Sequence, residues 1–369
     1  MSNGNVRVGI VGLGFGAEFI PLYQKHPDAE CEAICQRNEE NLNKVGDQFG
    51  VEKRYTKYEE MLADPDIDAI HVVTPPAAHA WMTVKALNAG KHAACTVPVA
   101  TSVEDCLKVV EARKKSGKVY MMMETAVYTR EFLYVKELYD KGEIGKIQFL
   151  RGSHQQNMGL PGWPDYWYGF PPMHYATHAV SPLLALAGAR AESVVCFGSG
   201  RIKEEYIKKY NSPFAIETML ANLEDSDLAF EATRSLFDTI RQYRESFDVY
   251  GTKMSFEWEQ IAGENPVLYT GYEDAERVEV PDYGHLLPKE IAQYTLHGVY
   301  DEEHEHTSFI QGAGHGGSHP HLAHEFVRAV VENRESYVDA ERAANWTMVG
   351  ICGHESAIKG GERIAIPKP

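Results

Sequence analysis

Apolar positions in the first 125 residues fall into short, β-branched runs separated by stretches with helical spacing. Val6–Val11 (VRVGIV) reads as a strand, followed by glycines and a helical stretch over Ala17–Lys25. Ala29–Cys35 reads as a second strand and Glu39–Phe49 as a polar helix, with a short helix over Tyr58–Ala63. Ile67–Val73 is an almost unbroken apolar strand that stops at Thr74-Pro75-Pro76. Ala77–Ala89 is helical in spacing and Gly90 is placed to end it. After a strand at His92–Cys95, Ser102 followed by Asp105 resembles a capping box opening a helix to about Gly117, and Val119–Met123 is a further strand. Repeated strand–helix units of this length predict a parallel sheet covered by helices on both faces.

Beyond residue 125 the rhythm changes. Phe132, Val135 and Leu138 share a face of a helix over Arg130–Tyr139. Strand-like runs at Ile147–Gly152, Ser193–Gly198, Phe214–Leu223, Asp227–Thr233 and Arg244–Tyr250, joined mostly by turns, predict an antiparallel sheet. Helical stretches at His321–Val331 and Ala340–Ile358 close the chain. The fold class is therefore α/β: a doubly wound parallel sheet over residues 1–124, then an α+β domain with a mainly antiparallel sheet over residues 125–369.

Charge narrows the partners. Thirty-six Lys and Arg stand against 53 Asp and Glu, a net charge of −17. Such a surface repels phosphate backbones and anionic lipid, which speaks against nucleic acid and membrane as partners. No apolar run reaches the length of a membrane helix, and the first residues lack a basic, cleavable leader, so a cytoplasmic location is expected. The six cysteines are scattered without a Cys-x-x-Cys pair and read as small buried hydrophobes of a reducing compartment.

The first chemical signature is Gly12-Leu13-Gly14-Phe15-Gly16-Ala17, which fits G-x-G-x-x-A directly after a strand and before a helix. The first glycine permits a tight turn, the second allows close approach of a pyrophosphate, and the small third position lets helix and sheet pack. At the end of the second strand an NAD site normally carries an acid for the ribose hydroxyls. Here Gln36 takes that place and Arg37 follows. Gln36 suits NAD as an uncharged hydrogen-bonding substitute, whereas Arg37 suits the 2′-phosphate of NADP.

With this loop, the strand end Val72-Val73-Thr74-Pro75-Pro76 followed by His79, the segment Gly90-Lys91-His92, and the x-x-Pro-x-Ala pattern at 96–100, the chain resembles the Gfo/Idh/MocA oxidoreductases over nearly its whole length. The resemblance assigns the nucleotide to Gly12, Gly14, Phe15, Gly16 and Ala17 and to Gln36 and Arg37. It adds Thr74, Pro75 and His79, then Thr96, Val97 and Pro98, and finally Glu124. It also implies carbohydrate or cyclitol substrates and a homo-oligomer, dimer or tetramer. Two positions depart from the common family pattern. Most members end the fifth strand in Glu-Lys-Pro, with the lysine assisting proton removal, but this chain reads Thr96-Val97-Pro98. Members also commonly carry Asp and His four residues apart, where this chain has His174 and His178.

Both departures resemble the NAD-dependent glycoside hydrolase branch of the family. Its strand ends in Glu-Val-Pro, and its later motif Tyr-Pro-Thr-His matches Tyr175-Ala176-Thr177-His178. That branch implies a redox-neutral cycle of oxidation, elimination, water addition and reduction, with a functional tyrosine at Tyr128. Valine cannot move a proton, so His178 is the leading acid–base candidate, assisted by Tyr128 and Tyr175. His174 is expected at a neighbouring hydroxyl. Trp163 and Tyr166, with Trp167 and Tyr168, either stack on a sugar or fold their loop. His304, His306, His315, His319, His321 and His324 form the densest histidine group, open to sugar-site lining (His315 foremost), a metal, or structural roles. No metal is assigned. Three functions stay open: redox-neutral glycoside cleavage, net sugar or cyclitol dehydrogenation, and a non-catalytic NAD(P)-binding sensor.

Overall fold

The computed structural model describes residues 5–241, 243–296 and 314–369. The chain separates into two compact units: Met1–Arg130 with Asp282–Ala344, and Glu131–Pro281 with Asn345–Pro369.

The first unit carries strands β1 (Val6–Val11), β2 (Ala29–Cys35), β3 (Lys53–Tyr55), β4 (Ala69–Val72), β5 (His92–Cys95) and β6 (Tyr120–Met122) in the spatial order β3-β2-β1-β4-β5-β6. Every neighbouring pair is parallel. Between them run α1 (Ile20–Lys25), α2 (Glu39–Phe49), α3 (Tyr58–Ala63), α4 (Pro76–Asn88) and α5 (Val103–Ser116). Local chemistry sets these bounds. Asn38 accepts the Asn41 N–H at the start of α2, and Gly50 ends that helix in the left-handed conformation. Ser102 caps α5 by accepting the Asp105 N–H, and its hydroxyl in turn donates to the Asp105 carboxylate at 2.9 Å. Strand order reverses between β1 and β4, and open α/β sheets bind ligands at such a crevice.

The second unit begins with α6 (Arg130–Asp140) and β7 (Ile147–Gln155), then α7 (Thr177–Ala187), β8 (Ala191–Ser199), α8 (Glu204–Tyr210), β9 (Ile216–Leu223), β10 (Ala229–Ser235) and β11 (Arg244–Gly251). Three short strands follow: β12 (Ser255–Glu257), β13 (Val267–Tyr269) and β14 (Ala275–Arg277). They build a sheet in the order β14-β13-β12-β11-β7-β10-β9-β8-β15, its last strand described below. The pairs are antiparallel with one exception, since β7 and β10 run parallel. The sheet is thus mainly antiparallel, as the sequence predicts. A parallel pair requires a long crossover, and the chain between β7 and β10 supplies it. Alternation is strict where one face is covered: in β9, Glu217, Met219, Ala221 and Leu223 are buried while Thr218, Leu220 and Asn222 are exposed.

The chain then returns to the first unit through α9 (Lys289–Ala292), α10 (Gly314–Gly317) and α11 (His319–Glu332). Leu322, Ala323, Phe326 and Val327 of α11 join the core formed by Val8, Ile10, Phe19 and Tyr23. The boundary between units falls within α12 (Ala340–Ile358), and β15 (Ile364–Ala365) pairs with β8.

Candidate active site

In the first unit the glycine loop leaves β1 at Gly12, whose φ is +90° and whose N–H donates to the Cys35 carbonyl at 2.9 Å. A Cβ here would stand 2.1 Å from the Val73 carbonyl oxygen, so the turn closes on neighbouring backbone and admits no side chain. At Gly14, by contrast, a Cβ would meet nothing within 4 Å, which leaves an open approach of the kind a pyrophosphate needs. Gly16 packs against Ile10 and Val73. The helix expected from Ala17 starts later. Gly16–Phe19 forms a 3-10 turn, and α1 begins at Ile20 with Pro21 in its first turn.

Gln36 follows β2 and is fixed at both ends. Its N–H donates to the Tyr55 carbonyl, and its side-chain oxygen accepts from Asn41 at 3.0 Å. Arg37 beside it is exposed. His79 is buried on α4 with Nδ1 2.7 Å from the Pro98 carbonyl and Nε2 2.5 Å from that of Thr74. Burial lowers its pKa although both carbonyls oppose the shift. The neutral ring donates to one carbonyl at a time, tying the Thr74-Pro75 turn to Thr96-Val97-Pro98. Glu124 is fully buried and accepts the Ala126 N–H, opening the turn that leads to Tyr128. Tyr128 stacks on His321 with ring centroids 6.4 Å apart, and burial holds its phenol well above the ordinary range.

His315, at φ +48°, brings its ring 6.1 Å from Phe15 and 5.3 Å from His319. Glu18 lies 3.5 Å from His319, and burial pushes its carboxyl up to about 7 although His315 opposes the shift. His324 meets His26 at 2.9 Å. His304 and His306 lie outside the described residues.

The second unit places ionisable side chains inside its sheet. In register, Glu245 of β11 faces His154 of β7, His154 faces Arg234 of β10, and Arg234 faces Glu217 of β9. All four are buried, on the parity of Leu150, Phe247, Phe230 and Met219. Gly152, on the same side of β7, lets α7 lie against the strand, since a Cβ would stand 1.9 Å from the Ala179 carbonyl oxygen. That close approach sets His178, at the start of α7, over the row. The His154 and His178 rings are 4.9 Å apart and Tyr175 is 5.4 Å from His178. Glu245 Oε1 is 3.7 Å from His154 Nε2 and 3.9 Å from His178 Nδ1, and it accepts the Tyr243 hydroxyl at 2.7 Å.

Arg234 is wholly buried and donates to the carbonyls of Tyr175, His154 and Ser235 and to the Gln156 side chain. Burial pulls its guanidinium down to about 10, so it stays charged at neutral pH. At the far end of the row Glu217 accepts the Met173 N–H and faces His354 Nδ1, each at 2.7 Å.

His178 and Tyr175 therefore come together, joined by His154, Arg234, Tyr243 and Glu245, none of which the motifs singled out. A signal existed: each of His154, Arg234, Glu217 and Glu245 breaks the apolar side of an alternating strand. His174 is set apart from that group by its own neighbours, Phe170 and His354, with its imidazole pulled down to about 3 by burial and then by His354. Trp163 and Tyr166 pack against the apolar cluster of Met158, Trp167, Phe170 and Phe237.

Residues 6–124 match a family model described as an oxidoreductase family with an NAD-binding Rossmann fold, and residues 132–257 match the GFO/IDH/MocA C-terminal domain. The chain belongs to the Gfo/Idh/MocA family, and its first unit is an NAD-binding Rossmann domain. It is similar to "Glycosyl hydrolase family 109 protein 1" of Phocaeicola vulgatus, 23% identical over 98% of this chain and 83% of that protein. An alpha-N-acetylgalactosaminidase of Shewanella oneidensis is 30% identical over 48% of this chain and 43% of that protein. Among solved structures, a levoglucosan dehydrogenase in complex with NADH superposes with a TM-score of 0.80 at 19% identity, covering 99% of this chain and all of that one.

Proposed function

We propose that this chain is an enzyme that transfers a hydride at a secondary hydroxyl carbon of a sugar or glycoside, with NAD as cofactor. NADP remains the alternative that Arg37 favours. The observation that carries the reading is the His178 cluster: an imidazole held among Tyr175, His154 and Glu245 in a chain whose Thr96-Val97-Pro98 lacks the family lysine. Bound NAD supplies the hydride acceptor as the alcohol carbon becomes a ketone. The protein's part is to take the hydroxyl proton, and His178 is the side chain assigned to it, with Tyr175 and Tyr128 assisting. Burial keeps the Tyr128 phenol protonated at neutral pH, which suits a hydrogen-bond donor. His174, Trp163, Tyr166 and His315 are the residues proposed to contact the sugar.

Valine at 97 and the glycosidase relatives favour a second stage. A ketone acidifies the neighbouring C–H, the aglycone is eliminated, water adds, and the hydride returns, so no net NADH forms. Net dehydrogenation is the rival that solved relatives such as levoglucosan dehydrogenase favour. Incubation of the purified protein with chromogenic glycosides and free sugars, with and without NAD, separates them. Aglycone release without accumulating NADH is expected for cleavage, accumulating NADH for dehydrogenation, and binding without turnover for a sensor. His178→Ala should abolish cofactor reduction on sugar addition; undiminished reduction sinks the assignment.

The open face of the second sheet displays Phe197 at 60% and Leu220 at 55% exposure, which supports a homo-oligomer. Light scattering that finds a monomer ends that proposal. No helix among the described residues is long and apolar enough to cross a membrane, and the cysteines are free thiols, as a reducing cytoplasm requires.

A further inference from the structure

We infer that His154, His178 and Glu245 form a binding site for one divalent transition-metal ion, zinc being the first candidate. Among the described residues theirs is the one grouping of His, Cys, Asp and Glu whose ligand atoms converge, all within 4.8 Å of one another. The spacing is the argument. At 3.7 and 3.9 Å, neither imidazole–carboxylate distance is a hydrogen bond. Ligands about 2.0 Å from a tetrahedral ion stand roughly 3.3 Å from each other, so side-chain rotations that close the group by up to about 1.5 Å bring all three onto one cation. Two nitrogens and one carboxylate oxygen suit zinc, cobalt or iron far better than magnesium or calcium, which prefer all-oxygen sites.

The supports are those of a built site. His154 and Glu245 are register partners on adjacent strands, so the sheet fixes their separation. Gly152 seats the helix that brings His178. Tyr243 donates to Glu245 Oε1, the oxygen that faces both rings, as outer partners of metal-bound carboxylates do. Arg234 holds the His154 carbonyl and directs its remaining donors to Tyr175, Ser235 and Gln156. Three protein ligands leave a coordination position open, and an ion there would bind a hydroxyl oxygen and lower its proton affinity.

This inference goes beyond the hydride-transfer reading and does not need it. Metal-loaded and metal-free protein differ in what His178 does: a ligand through Nδ1 in the first, the proton acceptor in the second.

The test uses the full chain, purified without chelator, incubated with Zn²⁺ or Co²⁺ alone, passed through gel filtration and analysed for bound metal. About one ion per chain is expected, with most of it lost in Glu245→Gln and His154→Ala while circular dichroism is unchanged. His154→Cys, which keeps a ligand should the alanine variant fold poorly, should give the near-ultraviolet charge-transfer band of a cobalt–thiolate bond. A wild-type protein that retains no stoichiometric ion overturns the inference. So does retention of the ion by both ligand variants, or cobalt bound to His154→Cys without that band. Loss of the inference leaves sugar-dependent cofactor reduction untouched. A protein that holds the ion but never reduces its cofactor sinks the hydride-transfer reading instead.

Discussion

The two sheets solve opposite problems. The inner strands β1, β4 and β5 of the parallel sheet in the first unit are mostly apolar, and the chemistry of that unit sits beyond the strand ends in backbone: the Gly12 turn, open space at Gly14, carbonyls bridged by His79. The second sheet carries its chemistry within the strands, as a buried row of Glu245, His154, Arg234 and Glu217. A backbone cradle recognises what every nucleotide shares, while side chains in a strand can be exchanged one at a time. Constancy is therefore expected in the glycine loop and specificity in the row of the second sheet.

Breaking the row should cost most. Arg234→Met removes the donor to three carbonyls and one amide and takes a buried cation away from the neighbourhood of Glu245. Loss of about 3–5 kcal/mol in urea unfolding is expected, with NAD affinity of any folded protein little changed. Gly12→Ala tests the other sheet, because its Cβ meets the Val73 carbonyl at a positive φ. It should weaken NAD binding at least about tenfold by calorimetry, the equivalent of roughly 1–3 kcal/mol of overpacking, and leave metal retention in the second unit intact. Gly152→Ala should cost a similar ~1–3 kcal/mol but strike His178, reducing cofactor turnover more than NAD affinity.

Acid should sharpen the contrast. Burial lowers His71 to about 3 and His26, His92 and His321 to about 4, all in the first unit. The folded state binds fewer protons than the unfolded chain below the ordinary histidine value of 6.5, so stability present above it is lost as pH falls. Glu18 acts in reverse: raised from 4.5 to about 7, it costs stability as pH rises through that window. Four groups outweigh one. The urea midpoint of the first unit should drop on acidification, and Glu18→Gln should steepen that drop. The smallest effect belongs to Arg37→Ala. A single exposed guanidinium is expected to alter NADP affinity by about 0.5–1 kcal/mol and NAD affinity hardly at all.

Much of the fold was legible because one signal dominated locally. Five strands of the first unit, the Ser102 cap and the α12 span follow directly from apolar runs and capping chemistry, whereas β3, Lys53-Arg54-Tyr55, has no apolar run to mark it. Motifs exposed the glycine loop and His178 for the same reason, since each is a compact word in the chain. His154, Arg234 and Glu245 escaped because they meet only through strand pairing, and Glu245 lies 91 positions from the residue it faces in register. A lone polar residue on an inward parity marks such a place without naming its partners. The parallel pairing of β7 with β10 was hidden likewise, since register is a long-range property.

The return of α9–α11 to the first unit carries a further consequence. Tyr294, Leu322 and Phe326 complete a core whose other half is Ile10, Phe19 and Tyr23, and His324 reaches His26. During synthesis, then, the nucleotide-binding half cannot finish folding when its own six strands have emerged from the ribosome. It must wait until β7–β14 of the second unit, too, have been translated, so a nascent chain stopped after β14 would display raw apolar surface to chaperones.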